Sequence, residues 1–136
     1  MGTFAEDVVV VPVGSGRYTA TLGHSWDLVR YPQGGIVVAL ALRAAAAEVA
    51  DDGLSLRTCT TIFAGAVAAG DLEIAVTLLR RGRTAVQVSV DIRNAGAGSG
   101  ATVVAVYGGP RRGPSFIDVA APPVAPPAEG RSYREP

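Results

Sequence analysis

Apolar and polar residues alternate along much of this chain, and the pattern breaks in one place. From Thr84 to Asn94 the run TAVQVSVDIRN sets Thr84, Val86, Val88, Val90 and Ile92 on one face and Gln87, Ser89, Asp91 and Arg93 on the other, the period of a half-buried strand. DLEIAVTLLR, Asp71 to Arg80, alternates with Leu72, Ile74, Val76 and Leu78 on one face, and RGR around Gly82 predicts a tight hairpin between the two. LRTCTTIF, Leu56 to Phe63, is rich in β-branched residues and predicts a strand closed by a flexible AGAVAAGD. ATVVAVYG after AGAGSG predicts another strand, ending at Gly108. VVVVPV and RYTATL, flanking Gly14-Ser15-Gly16, predict a short opening hairpin. The exception is Gly34 to about Ala50, where only Arg43 and Glu48 interrupt an apolar run. A helix that is apolar on nearly every side is a buried one. A membrane span needs ~20 strongly apolar residues, whereas this run is shorter, rich in alanine and carries Arg43 near its middle. Ala44 to Ala47 suit close approach of another backbone, with Ile36, Val37, Leu40 and Leu42 as bulk.

The last stretch changes character. Seven of the nine prolines fall after Gly108, and proline cannot continue a sheet. The expected division is therefore a folded domain over 1–108 and a proline-rich linker or tail over 109–136. The 136 residues fit one domain, and 49% apolar against 18% charged residues fits a packed core. Twelve basic and twelve acidic side chains cancel, so no general attraction to nucleic acid or an anionic membrane is expected. Every basic residue is arginine, so an anion site here would use guanidinium forks. A lone cysteine, Cys59, excludes an internal disulfide and a structural zinc site, and the cytoplasm is the expected compartment. The N-terminus has no basic region or cleavage motif of a signal peptide, and Asp7 stands against myristoylation at Gly2.

A long apolar helix opening on a glycine pair, followed by four antiparallel strands, resembles the α+β hotdog fold, a curled antiparallel sheet wrapped around one long central helix. Trp26, PQGGIVVALALRAA at 32 to 45, Phe63, Gly70-Asp71, RRGRT at 80 to 84 and GPSFIDVAAPPVAPP at 113 to 127 resemble, more narrowly, the N-terminal half of the acyl-CoA thioesterase II-like, double-hotdog family. The resemblance covers nearly all of this chain and about half of a typical member.

The candidate chemistry centres on Gln33, Gly34 and Gly35. The first amides of a helix lack intrahelical acceptors and lie at the positive end of its dipole, and glycine lets a ligand approach the backbone. The resemblance implies that a thioester carbonyl sits there as its oxygen gains charge. The plainer alternative is a turn into a helix with no room for side chains. Arg80, Arg81 and Arg83 crowd a hairpin tip. There Arg81 and Arg83 are candidates for the phosphates of coenzyme A, with solvated turn arginines as the alternative. His24 and Trp26 precede the helix. His24 is a candidate base or substrate contact, set against a packed or surface imidazole with nothing nearby to orient it. Trp26 reads as a lid over the helix start or as a substrate platform. Cys59, between threonines, reads as an inert buried thiol.

One residue type is missing. The resemblance implies an aspartate that activates water, usually on the strand after the central helix of the C-terminal hotdog. Here that strand carries no acid, and Thr58 or Thr60 stands about where the aspartate would be. Glu48, Asp51 and Asp52 belong to the far end of the helix. The expected function is hydrolysis of an acyl-CoA or acyl-carrier thioester, by this chain or by a protein of which it forms the N-terminal half. The alternative is a non-catalytic acyl-binding or structural hotdog that completes a partner's fold. A dehydratase, which would need a positioned histidine such as His24, is a third class. No metal or redox cofactor is implied. A homodimer, or pairing with a second hotdog, is expected because one hotdog leaves a sheet edge exposed.

Overall fold

The computed structural model describes residues 3–130, so Gly2 and the last six residues of the tail lie outside the described residues. The elements in order are α1 (Phe4–Asp7), β1 (Val11–Gly14), β2 (Arg17–Leu22), a 3-10 turn (His24–Trp26), α2 (Gly34–Val49), β3 (Ser55–Phe63), β4 (Gly70–Arg81), β5 (Ala85–Asn94), β6 (Ala101–Gly108) and a second 3-10 turn (Pro127–Glu129). The strands form one antiparallel sheet in the order β1-β2-β4-β5-β6-β3. This curled sheet with its long helix is the α+β hotdog fold. The single turn α1 has no periodicity to announce it. It is held by the Glu6 carboxylate, which accepts the Thr3 amide proton at 2.6 Å.

Alternation builds the core. Val86, Val88, Val90 and Ile92 of β5 are buried together with Leu72, Ile74 and Val76 of β4 and Ala101, Val103 and Ala105 of β6. Against them α2 lays Ile36, Val37, Leu40, Ala41, Ala44 and Ala45. The β1–β2 turn needs glycine at Gly16, where φ is 62° and a Cβ would run into the Val76 carbonyl. At that close approach the Val76 amide donates to the Gly16 carbonyl at 2.7 Å.

Two expectations are corrected. The helix is buried on one side only: Gly35, Arg43, Ala46 and Ala47 are exposed, and Val38, Ala39 and Leu42 are half-covered. A single sheet layer can cover one face of a rod, so a helix apolar all round keeps an uncovered stripe. The alternation of β4 also fails at Leu78, where the register slips between Leu78 and Arg80. Leu79 is the extra residue of a bulge, which changes the face of everything after it.

The sheet ends at Gly108. Residues 109–130 carry no strand and are exposed throughout, except for the half-covered Gly109. No helix among the described residues is long and apolar enough to cross a membrane.

Candidate functional site

The site begins at the start of α2. Trp26 closes the preceding 3-10 turn, and its carbonyl accepts the Gln33 amide at 2.9 Å, while Asp27 bridges to Pro32. Gln33 is the extended N-cap, and its side chain makes no capping hydrogen bond. The first bond of the helix runs from the Ile36 amide to the Gln33 carbonyl at 3.1 Å. The amides of Gly34 and Gly35 have no acceptor among the described residues. They stand at the positive end of a sixteen-residue helix.

A cleft of about 460 Å³ opens beside them, lined among others by Tyr31, Pro32, Gly34, Val37, Phe63 and Val67. A Cβ on Gly34 would stand 3.0 Å from the tip of the Phe63 ring, while one on Gly35 would meet nothing within 4 Å. Gly34 is thus roofed by an aromatic ring and Gly35 faces open space. The far wall is the loop 64–69, expected to be flexible and in fact tied down. The Asn94 carboxamide accepts the Ala68 amide at 2.8 Å and donates to the Ala68 carbonyl at 2.9 Å. The Gly65 amide donates to the Gly100 carbonyl at 2.8 Å, and Val67 is buried beneath. A larger groove of about 880 Å³ crosses the outer sheet face over Arg17, Glu73, Asp91 and Arg93. It holds the exposed Arg93–Glu73 pair at 3.2 Å and no helix terminus, so the smaller cleft is the better candidate for acyl chemistry.

The other candidate residues divide. His24 is a surface imidazole, 86% exposed, and Asp27 orients it: Nδ1 and the Asp27 carboxylate are 2.7 Å apart. The expectation that nothing nearby orients His24 is corrected, because a 3-10 turn brings residues three apart together. Neither residue lines the cleft. Trp26 packs partly against the core, donates its indole N–H to Asp7 at 3.0 Å and meets Phe4 edge-on, with ring centroids 6.1 Å apart. Its polar atom and one edge are thereby engaged within the fold.

The register of β3 separates the threonines from the cleft. Thr58 and Thr60 pair with Val106 and Val104, on the outer face. Cys59, Thr61 and Phe63 pair with Ala105, Val103 and Ala101, whose side chains are buried beneath α2. Directly opposed residues share a face, so within this chain Thr58 and Thr60 point away from α2. Cys59 is exposed and not buried as expected, because β3 is a sheet edge that α2 does not cover.

The hairpin arginines lie at the other end of α2. Beyond the β4 bulge, Arg81 pairs with the buried Val86 and turns inward, where its guanidinium donates to the Val49 carbonyl at 2.8 Å. It caps the last turn of the helix, where Ala50 is in the left-handed conformation with φ 49°. Arg80 and Arg83 remain at the tip. Fifteen rises of α2 separate this end from the glycine pair by about 22 Å, so one chain does not bring Arg81 or Arg83 to Gly34 and Gly35. The late carboxylates have structural partners: Glu48 accepts the Tyr18 hydroxyl at 2.8 Å, and Asp51 accepts the Gly53 amide at 3.0 Å. Sequence reasoning missed Phe63 as a roof, Asp27 and Asn94. The spacing of three from His24 to Asp27 was the one available signal.

A curled six-stranded antiparallel sheet cradling one long helix makes this a hotdog domain. Residues 22–108 match the family model described as the acyl-CoA thioesterase N-terminal domain, and the chain belongs to that family. Among solved structures it is similar to a candidate thioesterase II from Thermobifida fusca YX, at 27% identity and a TM-score of 0.76 over 93% of this chain and 47% of that one. A hotdog-fold protein of unknown function from Alicyclobacillus acidocaldarius shares 23% identity with a TM-score of 0.82, over 94% and 47%. An acyl-CoA thioesterase II from Mycobacterium marinum shares 20% with a TM-score of 0.75, over 93% and 46%. This chain therefore spans about half the length of these relatives. No curated protein matches it.

Proposed function

We propose that this domain takes part in hydrolysis of an acyl thioester, acyl-CoA or acyl-carrier, to a free acid and a thiol. The observation that carries the reading is the pair of unpartnered amides at Gly34 and Gly35, with Gly34 lining a cleft walled largely by apolar side chains. Water would add to the thioester carbon, the carbonyl oxygen would gain charge against those two N–H groups, and collapse would break the C–S bond and release the thiolate. The base would come from a paired domain, since no acidic residue lines the cleft. Residues 1–108 are proposed as the hotdog and 109–136 as the connection or tail, in a cytoplasmic protein.

Pairing is supported by what this chain leaves uncovered. β3 is an edge strand, with Ile62 64% and Phe63 51% exposed, and α2 shows a small-residue stripe of Gly35, Ala39 and Ala46. A second hotdog, from another copy or from a C-terminal half, would continue the sheet across β3. A second reading, a non-catalytic acyl-binding subunit, rests on the same lack of a cleft carboxylate. Incubation with short, medium and branched acyl-CoAs, following thiol release, separates the two. Turnover is the expected result. Retained acyl-CoA binding without turnover, measured on the paired assembly, would move the assignment to the second reading.

A further inference from the structure

We propose that Asp7 is a positioning residue for the start of α2, acting through the indole of Trp26. The chain from Trp26 to Gln33 is a tight hairpin that leads directly into the glycine pair. The Trp26 carbonyl accepts the Gln33 amide at 2.9 Å, the Leu28 amide donates to the Tyr31 carbonyl at 3.1 Å, and Asp27 bridges to Pro32. Little else holds this hairpin. Between Trp26 and Gln33 only Pro32 is buried; Leu28 is 75% and Val29 93% exposed, and Gln33 makes no side-chain cap. A segment with so few buried contacts opens locally at small cost, so whatever fixes Trp26 fixes the entry into the helix.

Trp26 is fixed from the N-terminal segment. Its indole N–H donates to the Asp7 carboxylate at 3.0 Å, and Phe4 meets its ring edge-on with centroids 6.1 Å apart. A bond to a carboxylate is charge-assisted and stronger than one to a neutral oxygen. Among the described residues the Asp7 side chain has no other hydrogen-bond partner and takes part in no ion pair. Asp7 is half-covered and sits on α1, which the Glu6–Thr3 bond closes and the buried Val8 seats against the core. The path from α1 to the site is therefore covalent except for two hydrogen bonds, Asp7 to the indole and the Trp26 carbonyl to the Gln33 amide, one residue before Gly34. Asp7 does not line the cleft. It acts by holding the glycine amides in place, and stabilisation of an oxyanion depends on donors oriented in advance. The effect on rate rests on the hydrolase reading; the coupling of Asp7 to Gln33 does not.

The test combines amide hydrogen exchange with thiol release from a short acyl-CoA, both on the full chain in its assembled state. Asp7→Ala should speed exchange of the Gln33 amide about two- to tenfold, the scale of one hydrogen bond. The Ala50 amide, bonded to the Ala46 carbonyl at the other end of α2, should exchange as in the parent. The kcat should fall about three- to tenfold, less than the loss of a whole oxyanion donor, with KM unchanged. Trp26→Phe keeps a ring but removes the N–H and should have the same effects; joined to Asp7→Ala it should add nothing further. Asp7→Asn keeps an acceptor oxygen and should recover most of both readouts. Equal acceleration at both ends of α2 would mark general destabilisation and overturn the positioning role. Unchanged exchange at Gln33, additive effects of the two variants, or faster exchange with kcat intact would overturn it too. If the parent releases no thiol, the hydrolase reading fails by itself, and the exchange at Gln33 and Ala50 decides the coupling alone.

Discussion

Gly35→Val offers the sharpest test of the helix start. A Cβ on Gly35 meets no atom within 4 Å, so the added methyl groups enter space and not the core. Side chains on a helix lean toward its N-terminus, which carries the valine over the amides of Gly34 and Gly35. Replacing glycine by valine in a helix is favourable by about a few tenths of a kcal/mol, so thermal stability should hold or rise slightly. Loss of one oxyanion donor costs roughly 10²–10³ in kcat, about 2.7–4 kcal/mol. The expected outcome is a fall of that size in thiol release from a short acyl-CoA, with an unchanged unfolding midpoint. Gly34→Val is the contrasting variant, because its Cβ meets the Phe63 ring at 3.0 Å and should disturb packing as well. Gly35→Val turning over within about threefold of the parent, with its fold intact, would refute the oxyanion role.

Two further predictions concern the scaffold. Leu40 of α2 has no exposed surface, so Leu40→Ala should cost about 2–5 kcal/mol in denaturant unfolding; a loss below about 1 kcal/mol would mean that α2 does not pack as described. Burial, and then the hydrogen bond to Glu48, push the Tyr18 hydroxyl from 10.0 up to about 12. The neutral phenol is favoured in the native state, so its contribution is whole below pH 10 and is lost as pH rises through 12. Tyr18→Phe should flatten the alkaline fall in stability across that window, measured by urea unfolding. Some slope should remain from Tyr107, which burial also raises; an unchanged slope would remove Tyr18 as a cause.

Periodicity alone determined most of the architecture. Strict alternation from Val86 to Ile92 could serve only one buried face, and the charge-poor run from Gly34 could serve only a packed helix, so β5 and α2 were legible in the sequence. Tertiary pairing decided what periodicity cannot encode. A helix apolar all round does not say which side meets the sheet, and only contact with β4, β5 and β6 buried Ile36, Val37 and Leu40 while leaving Gly35 open. Thr-Cys-Thr-Thr in β3 has no alternation to read, and its parity came from the register with β6, which turned Thr58 and Thr60 outward. One extra residue at Leu79 sent Arg81 to the helix end and left Arg80 at the tip. Strand faces have period 2, so a single inserted residue reverses them, and where the insertion falls is fixed by pairing across the sheet.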